Sequence, residues 1–181
     1  GDNNILSNSI LKEDSDEFVY DISVETGHFM CNNILSHNCY AYDLSDLAMK
    51  GLFFIEGFKS KAANHLTTFC DHFLEYTSWV SNRSSGAAGF PNFLVWAYYF
   101  WRKDCSENFF LRSPEYYRDQ CFQKVLFDLN QPYLRITQTT FSNFSIFDRI
   151  YCEDIFGGLV FPDDTCFIDE IEEFIEHEGF H

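Results

Sequence analysis

The chain has 181 residues, 19% of them aromatic with 22 Phe, and a formal net charge of -16. That length allows one medium domain, or one with a small appendage, and the ring content can build a large core. The acidic balance argues against a nucleic-acid partner, which needs clustered Lys and Arg, and against docking on an anionic membrane surface.

Residues 1–16 are polar around one short apolar stretch, Ile10-Leu11. Phe18 to Val24 alternates apolar and polar residues, the mark of a half-buried strand. Glu25-Thr26-Gly27 reads as a turn, Phe29 to Cys31 as a second strand, and Asn32-Asn33 as a tight turn. Ile34-Leu35 forms a short third strand that runs into His37. This N-terminal piece is all β, and alone it is too small to bury a stable core.

From Cys39 the character changes. Leu44 to Leu52 and Ala62 to Val80 carry apolar residues at helical spacing. Phe93 to Lys103 is nearly continuous apolar, and periodicity does not decide between helix and strand. Its nine apolar residues from Phe93 to Trp101 fall short of the roughly 18 of a spanning helix. Ser113-Pro114-Glu115 starts a helix, with Ser as N-cap, Pro at the first helical position and an acid beside the dipole. That helix runs to about Asn130, where Gln131-Pro132 ends it. Thr137 to Phe147 reads as extended, Gly157-Gly158 and Pro162 to Asp164 as turns, and Asp169 to His177 as an acidic helix.

Seven cysteines stand at 31, 39, 70, 105, 121, 152 and 166, widely spaced and without a C-x-x-C pair. Reduced thiols are expected, several of them buried, and neither a disulfide framework nor a metal site. With no basic-then-apolar signal at the start, the reading is cytoplasmic.

His37-Asn38-Cys39 carries chemistry. An Asn side-chain amide can attack its own backbone carbonyl, form a succinimide and cleave the chain after itself. A His directly before the Asn is placed to polarise that carbonyl, and a second His nearby can act as acid or base. His37 and His28 supply both. Cys39 is a nucleophile able to accept an acyl group, and Asp21 could take its thiol proton. The tripeptide is short enough to arise by chance, so its surroundings carry the weight.

Those surroundings are Val19-Tyr-Asp-Ile-Ser-Val-Glu25, Gly27-His-Phe29 and Asn32-Asn-Ile-Leu-Ser-His-Asn-Cys39. In order and spacing they resemble the two C-terminal motifs of inteins, with Phe29 following His28 directly where an Asn usually intervenes. The resemblance implies a small all-β (Hint-type) segment over residues 1–38. Asn38 would cyclise, His37 and His28 would assist cleavage, Cys39 would accept the upstream extein, and Asp21 would activate Cys39. The first intein residue and the upstream Thr-x-x-His motif have no counterpart, so an N-terminal intein half or an upstream chain is the implied partner.

Residues 39–181 resemble a second family. Cys39-Tyr-Ala-Tyr-Asp-Leu44, Lys50-Gly-Leu-Phe-Phe-Ile-Glu-Gly-Phe58, His65-Leu-Thr-Thr68, Val80 through Pro91-Asn-Phe93, Leu129-Asn-Gln-Pro-Tyr-Leu-Arg135 and Phe156-Gly-Gly158 look like successive motifs of anaerobic, glycyl-radical ribonucleoside-triphosphate reductases. The resemblance implies α/β structure, the first part of a ten-stranded barrel, with Cys39 as a reducing active-site cysteine. It also implies a ribonucleoside triphosphate substrate and a glycyl radical installed by an iron-sulfur/S-adenosylmethionine activase. ATP and dNTP effectors would act at other domains. The thiyl-radical loop, the metal-binding cysteines and the glycyl-radical segment have no counterpart here, so the remainder of the reductase is a further implied partner.

Two alternatives stand beside this. One is a self-cleaving intein half with passive cargo and no reductase activity; the other is an acidic, aromatic-rich interaction domain. Elsewhere bland readings are preferred: His65 and His72 as partly exposed histidines, Glu170 to Glu178 as a solvated helix face, and Trp79, Trp96 and Trp101 as core.

Overall fold

The computed structural model describes the backbone of residues 5–12, 18–24, 28–31, 34–37, 40–55, 58–83, 87–134, 140, 142–146 and 148–177, with side chains from residue 40 onward except 54, 55, 58 and 133. Two antiparallel ladders come first. β1 (Ile5–Lys12) pairs with β2 (Phe18–Val24), setting Ser9 opposite Asp21 and Ile10 opposite Tyr20. β3 (His28–Cys31) pairs with β4 (Ile34–His37), setting Cys31 opposite Ile34 and His28 opposite His37. β2 follows the alternation of Phe18 to Val24, and β3 and β4 cover the two short strands expected after it. β1 is not among the expected strands: its Ser and Asn residues have weak strand preference, and pairing with β2 rather than propensity makes it a strand. The turns expected at Glu25–Gly27 and Asn32-Asn33 lie outside the described residues.

β5 (Tyr40–Ala41) opens at the residue after Cys39 and begins a parallel sheet with β8 (Ala88–Phe90) and β9 (Ser142–Phe144), in the order β5-β8-β9. The register aligns Tyr40 with Ala88 and Ala88 with Ser142. Parallel neighbours require long crossovers. Here α1 (Ser45–Lys50), a hairpin of β6 (Leu52–Ile55) and β7 (Phe58–Ser60), and α2 (Leu66–Ser81) lie between β5 and β8. Between β8 and β9 lie α3 (Phe93–Ser106), α4 (Pro114–Leu129) and a single 3-10 turn, Pro132–Leu134. The described residues thus form mixed α/β structure around a small parallel sheet. α5 (Arg149–Phe156) and α6 (Phe167–Glu176) complete the order.

The undecided run from Phe93 is helix α3. It buries Phe93 and every residue from Val95 to Trp101, so it is apolar all round because it is enclosed all round. Its Phe93 ring stacks with Phe69 and packs at a tilt against Phe73 of α2, and lies 4.7 Å from Phe144 of β9. Trp96 and Trp101 are buried as expected, and Trp79 packs half-buried against this core. Ser113 caps α4, its hydroxyl accepting from Tyr116 N at 3.1 Å. α5 had no place in the sequence reading. Its signal was Asp148, whose side chain accepts from Tyr151 N at 2.9 Å as N-cap. Among the described residues no helix is long and apolar enough to cross a membrane.

The helix expected over Leu44 to Leu52 stops early. Gly51 at φ +79° ends α1, and the chain turns into β6. A Cβ on Gly51 would be driven into the backbone carbonyls of Ser60 and Lys61. Both penalties fall on backbone that cannot swing aside. Gly51→Ala is therefore expected to lose about 2–4 kcal/mol, combining left-handed strain with a steric clash. Urea unfolding checks this, and a loss under about 0.5 kcal/mol, as for an ordinary surface site, would contradict it.

Candidate functional site

The residues expected to act at the junction divide into three groups. Asn38 and Cys39 lie outside the described residues. His28 and His37 occupy facing positions of one antiparallel ladder, where directly opposed residues have Cβ atoms about 4.5–5.5 Å apart. Asp21 lies in the other ladder, opposite Ser9. The backbone therefore brings the two histidines to one register position.

Downstream of Cys39, β5 is fixed by two hydrogen bonds into β8: Tyr40 N donates to Ala87 O at 2.9 Å, and Tyr42 N to Gly89 O at 2.8 Å. β9 closes on β8 from the other side. A Cβ on Gly89 would meet Asn143 Oδ1 at 2.8 Å, so glycine permits this approach.

A polar clasp between buried Asn92 and exposed Asp43 locks the end of β5 to the end of β8. Asn92 Nδ2 donates to Asp43 Oδ1 at 2.7 Å, and Leu44 N donates back to Asn92 Oδ1 at 3.0 Å. Ser45 N adds a 2.7 Å bond to Asp43 Oδ1, and Trp96 Nε1 donates to Ser45 Oγ at 3.3 Å. Asp43 and Asn92 both fall within the motifs quoted above, yet no role was assigned to them, because only the fold brings residues 49 apart in sequence into contact. Strand ends of this kind are where open α/β sheets carry function, and the clasp sets the orientation of the strand that follows Cys39.

Burial alone would push the Asp43 carboxyl up, but hydrogen bonds from Ser45 and Asn92 outweigh it and hold the group below its ordinary range. A carboxyl depressed in the folded state adds stability above its unfolded pKa of about 3.9, and that stability is lost as pH falls through the folded value. Wild type should therefore lose stability from about pH 5 downward more steeply than Asp43→Asn, measured by urea unfolding across that range. Parallel pH profiles for the two proteins would rule the clasp out as the source.

The remaining candidates are structural, though not always as expected. His72 is buried rather than partly exposed, with Nε2 2.9 Å from Ser60 Oγ, and burial holds it below the usual imidazole range. His65 Nδ1 lies 2.7 Å from Asp104 Oδ1. The other Asp104 oxygen accepts from Leu66 N and from the Tyr117 hydroxyl, each at 2.8 Å. His65, Asp104 and Glu107 are close enough to share a cation, but both Asp104 oxygens already serve protein donors. The sequence gives no signal for Asp104, a polar residue inside an aromatic helix.

Glu172, Glu173 and Glu176 lie on the exposed face expected of the acidic helix, and Glu170 is the exception. Glu170 is half-buried, paired with Arg102 at 2.8 Å and accepting from the Tyr98 hydroxyl at 2.9 Å. It ties α6 to α3 because it points inward beside Ile171 and Phe174. Of the described cysteines, Cys70, Cys121 and Cys152 are buried, Cys105 and Cys166 half-buried, and all five carry free thiols.

Residues 27–169 match the family model described as anaerobic ribonucleoside-triphosphate reductase. The chain is similar to the anaerobic ribonucleotide reductase of Thermotoga maritima in complex with dATP and CTP. It is 42% identical to that protein, with a TM-score of 0.71 covering 75% of this chain and 23% of the other. Against the same enzyme with citrate in the active site the values are 41%, 0.69, 75% and 24%. A further structure named anaerobic ribonucleotide reductase gives 40%, 0.70, 75% and 22%. No curated protein matches the chain. The chain thus spans about a quarter of the length of these solved relatives. The family match takes in the parallel sheet, the clasp and the helices around them: the chain belongs to the anaerobic ribonucleoside-triphosphate reductase family.

Proposed function

We propose that residues 39–181 form the first part of the catalytic barrel of an anaerobic ribonucleoside-triphosphate reductase. Residues 1–38 are the C-terminal part of an intein whose excision exposes Cys39 as the start of that part. The observation that carries the reductase reading is the parallel sheet β5-β8-β9, which opens at Tyr40 directly after Cys39 and lies in a region similar to solved enzymes of the family. The splicing reading is supported by the facing register of His28 and His37, which immediately precedes Asn38.

At the junction the Asn38 side-chain nitrogen attacks the Asn38 carbonyl carbon. The Asn38–Cys39 peptide bond breaks, a succinimide closes, and the Cys39 amine leaves with a proton. His37 polarises the carbonyl, and His28 assists the proton transfer. Before that cleavage the Cys39 thiol gives its proton to Asp21 and accepts the upstream extein as a thioester, while the bond from that acyl group to the side chain of the first intein residue breaks and that side chain leaves with a proton. The N-terminal intein half or an upstream chain must supply that acyl group.

In the reductase, Cys39 donates reducing equivalents to a bound ribonucleoside triphosphate. A thiol suits this because it can donate a hydrogen atom, or an electron and a proton together. The clasp of Asp43, Asn92 and Ser45 holds the strand behind it. The radical and the nucleotide-effector domains belong to the remainder of the enzyme, and a separate activase installs the radical.

Intact mass after expression tests the junction. The 181-residue chain should yield a product beginning at Cys39, and Asn38→Ala should abolish it. An intact wild-type mass at every pH would sink the splicing reading. Cys39→Ser separates the two roles: a hydroxyl can still accept an acyl group, but its stronger O–H bond does not serve radical reduction. In the assembled reductase this variant should lose nucleotide reduction, and retained reduction would overturn the role of Cys39.

A further inference from the structure

α2 and α4 run side by side in the same direction. Their ties climb together: Thr67 N donates to the Tyr117 hydroxyl oxygen at 3.3 Å, Cys70 lies beside Cys121, and Asp71 pairs with Lys124. The two cysteines therefore sit at one level, clamped between a hydrogen bond below and an ion pair above. Both are nearly enclosed, Cys70 at 1% and Cys121 at 5% exposure. One turn further along, the same seam opens into a cleft of about 330 Å³ lined by Asp71, Leu74, Lys124 and Asp128. Nothing in the reductase or splicing chemistry above uses this pair.

We propose that Cys70 and Cys121 are a peroxide-responsive dithiol that closes into a disulfide bridging α2 and α4. Cys121 is the less enclosed of the two, and its Cys70 neighbour holds it below the ordinary thiol range, whereas the contact with Cys121 and burial hold Cys70 well above it. Cys121 is thus the attacking group and Cys70 the resolving one. In the first step the Cys121 thiolate attacks one peroxide oxygen and the O–O bond breaks. This leaves a sulfenic acid, and the displaced hydroxide takes the thiol proton as water. In the second step the Cys70 sulfur attacks the sulfenic sulfur, the S–O bond breaks, and the hydroxyl leaves as water with the Cys70 proton. Two thiols lose two electrons and one peroxide becomes two waters. Enclosure restricts the oxidant to molecules as small as hydrogen peroxide.

The test treats the full chain with hydrogen peroxide, alkylates remaining thiols under denaturing conditions, and maps the peptides by mass. The expected result is a Cys70–Cys121 linked peptide lighter by about 2 Da than the two free peptides together, reversed by dithiothreitol. Cys121→Ser should leave Cys70 fully alkylated, whereas Cys105→Ser should leave the linked peptide in place. The proposal is overturned if Cys70 and Cys121 are recovered alkylated as in untreated protein. Oxidation of Cys121 that stops at sulfenic or sulfinic acid would overturn it equally. The wild-type map decides by itself should either variant fail to fold.

Discussion

Phe73→Ala is expected to destabilise the fold by about 3–5 kcal/mol, the range for deleting a buried phenyl ring and leaving its cavity. Phe73 is fully buried on α2. Its ring lies 4.4 Å from Phe93 of α3, 4.9 Å edge-on from Phe90 of β8, and 5.7 Å from Phe144 of β9. One side chain therefore joins two helices to two strands of the parallel sheet. The surrounding rings belong to separate elements and cannot all close on the void. Against a typical total of about 5–15 kcal/mol, the loss leaves the folded state marginal. Urea unfolding should show a lower midpoint at unchanged slope. Phe127→Ala, removing an exposed ring of α4, should stay within about 0.5 kcal/mol. Similar losses for the two variants would remove Phe73 from the centre of the core.

Asp104→Ala should cost a comparable amount, about 3–5 kcal/mol, for a different reason. Asp104 has no exposed surface. α2 begins without a side-chain cap of its own, and Asp104 reaches across from α3 to accept the Leu66 N–H at the positive end of that helix. It also holds His65 and the Tyr117 hydroxyl, so truncation leaves three donors facing a cavity. Asp104→Asn keeps the shape, loses the charge and replaces one acceptor by a donor; about 1–2 kcal/mol is expected. A spectroscopic readout accompanies the stability measurement. Burial and the bond to Asp104 push the Tyr117 phenol well above its ordinary range. In Asp104→Ala that phenol should ionise at lower pH. An unchanged titration would mean that burial alone governs Tyr117.

Much of the local structure is legible in the residue order. The alternation of Phe18 to Val24 and the Ser113-Pro114 start report strand and helix directly, because each depends on neighbours within one turn or one pleat. The run from Phe93 is harder, since a segment buried on every side has no polar face to reveal its period. Asp148 is a local signal obscured by its surroundings: it caps a helix whose exposed Ile150 and Ile155 mask its inward face. Glu170 shows the opposite error. An acid in an acidic helix looks solvated until Arg102 and Tyr98 are found beneath it.

By itself the sequence determined the chemistry available at His37-Asn38-Cys39, the change of character at Cys39, and the motifs that tie residues 39–181 to their family. These rest on residue type and short spacing. The tertiary structure alone decided that His28 faces His37, that Asp43 and Asn92 close a clasp between two parallel strands, that Asp104 caps a helix 38 residues earlier, and that Cys70 meets Cys121. Each of these joins separate chain segments through burial and strand pairing, and the energy that selects such contacts belongs to the packed core as a whole.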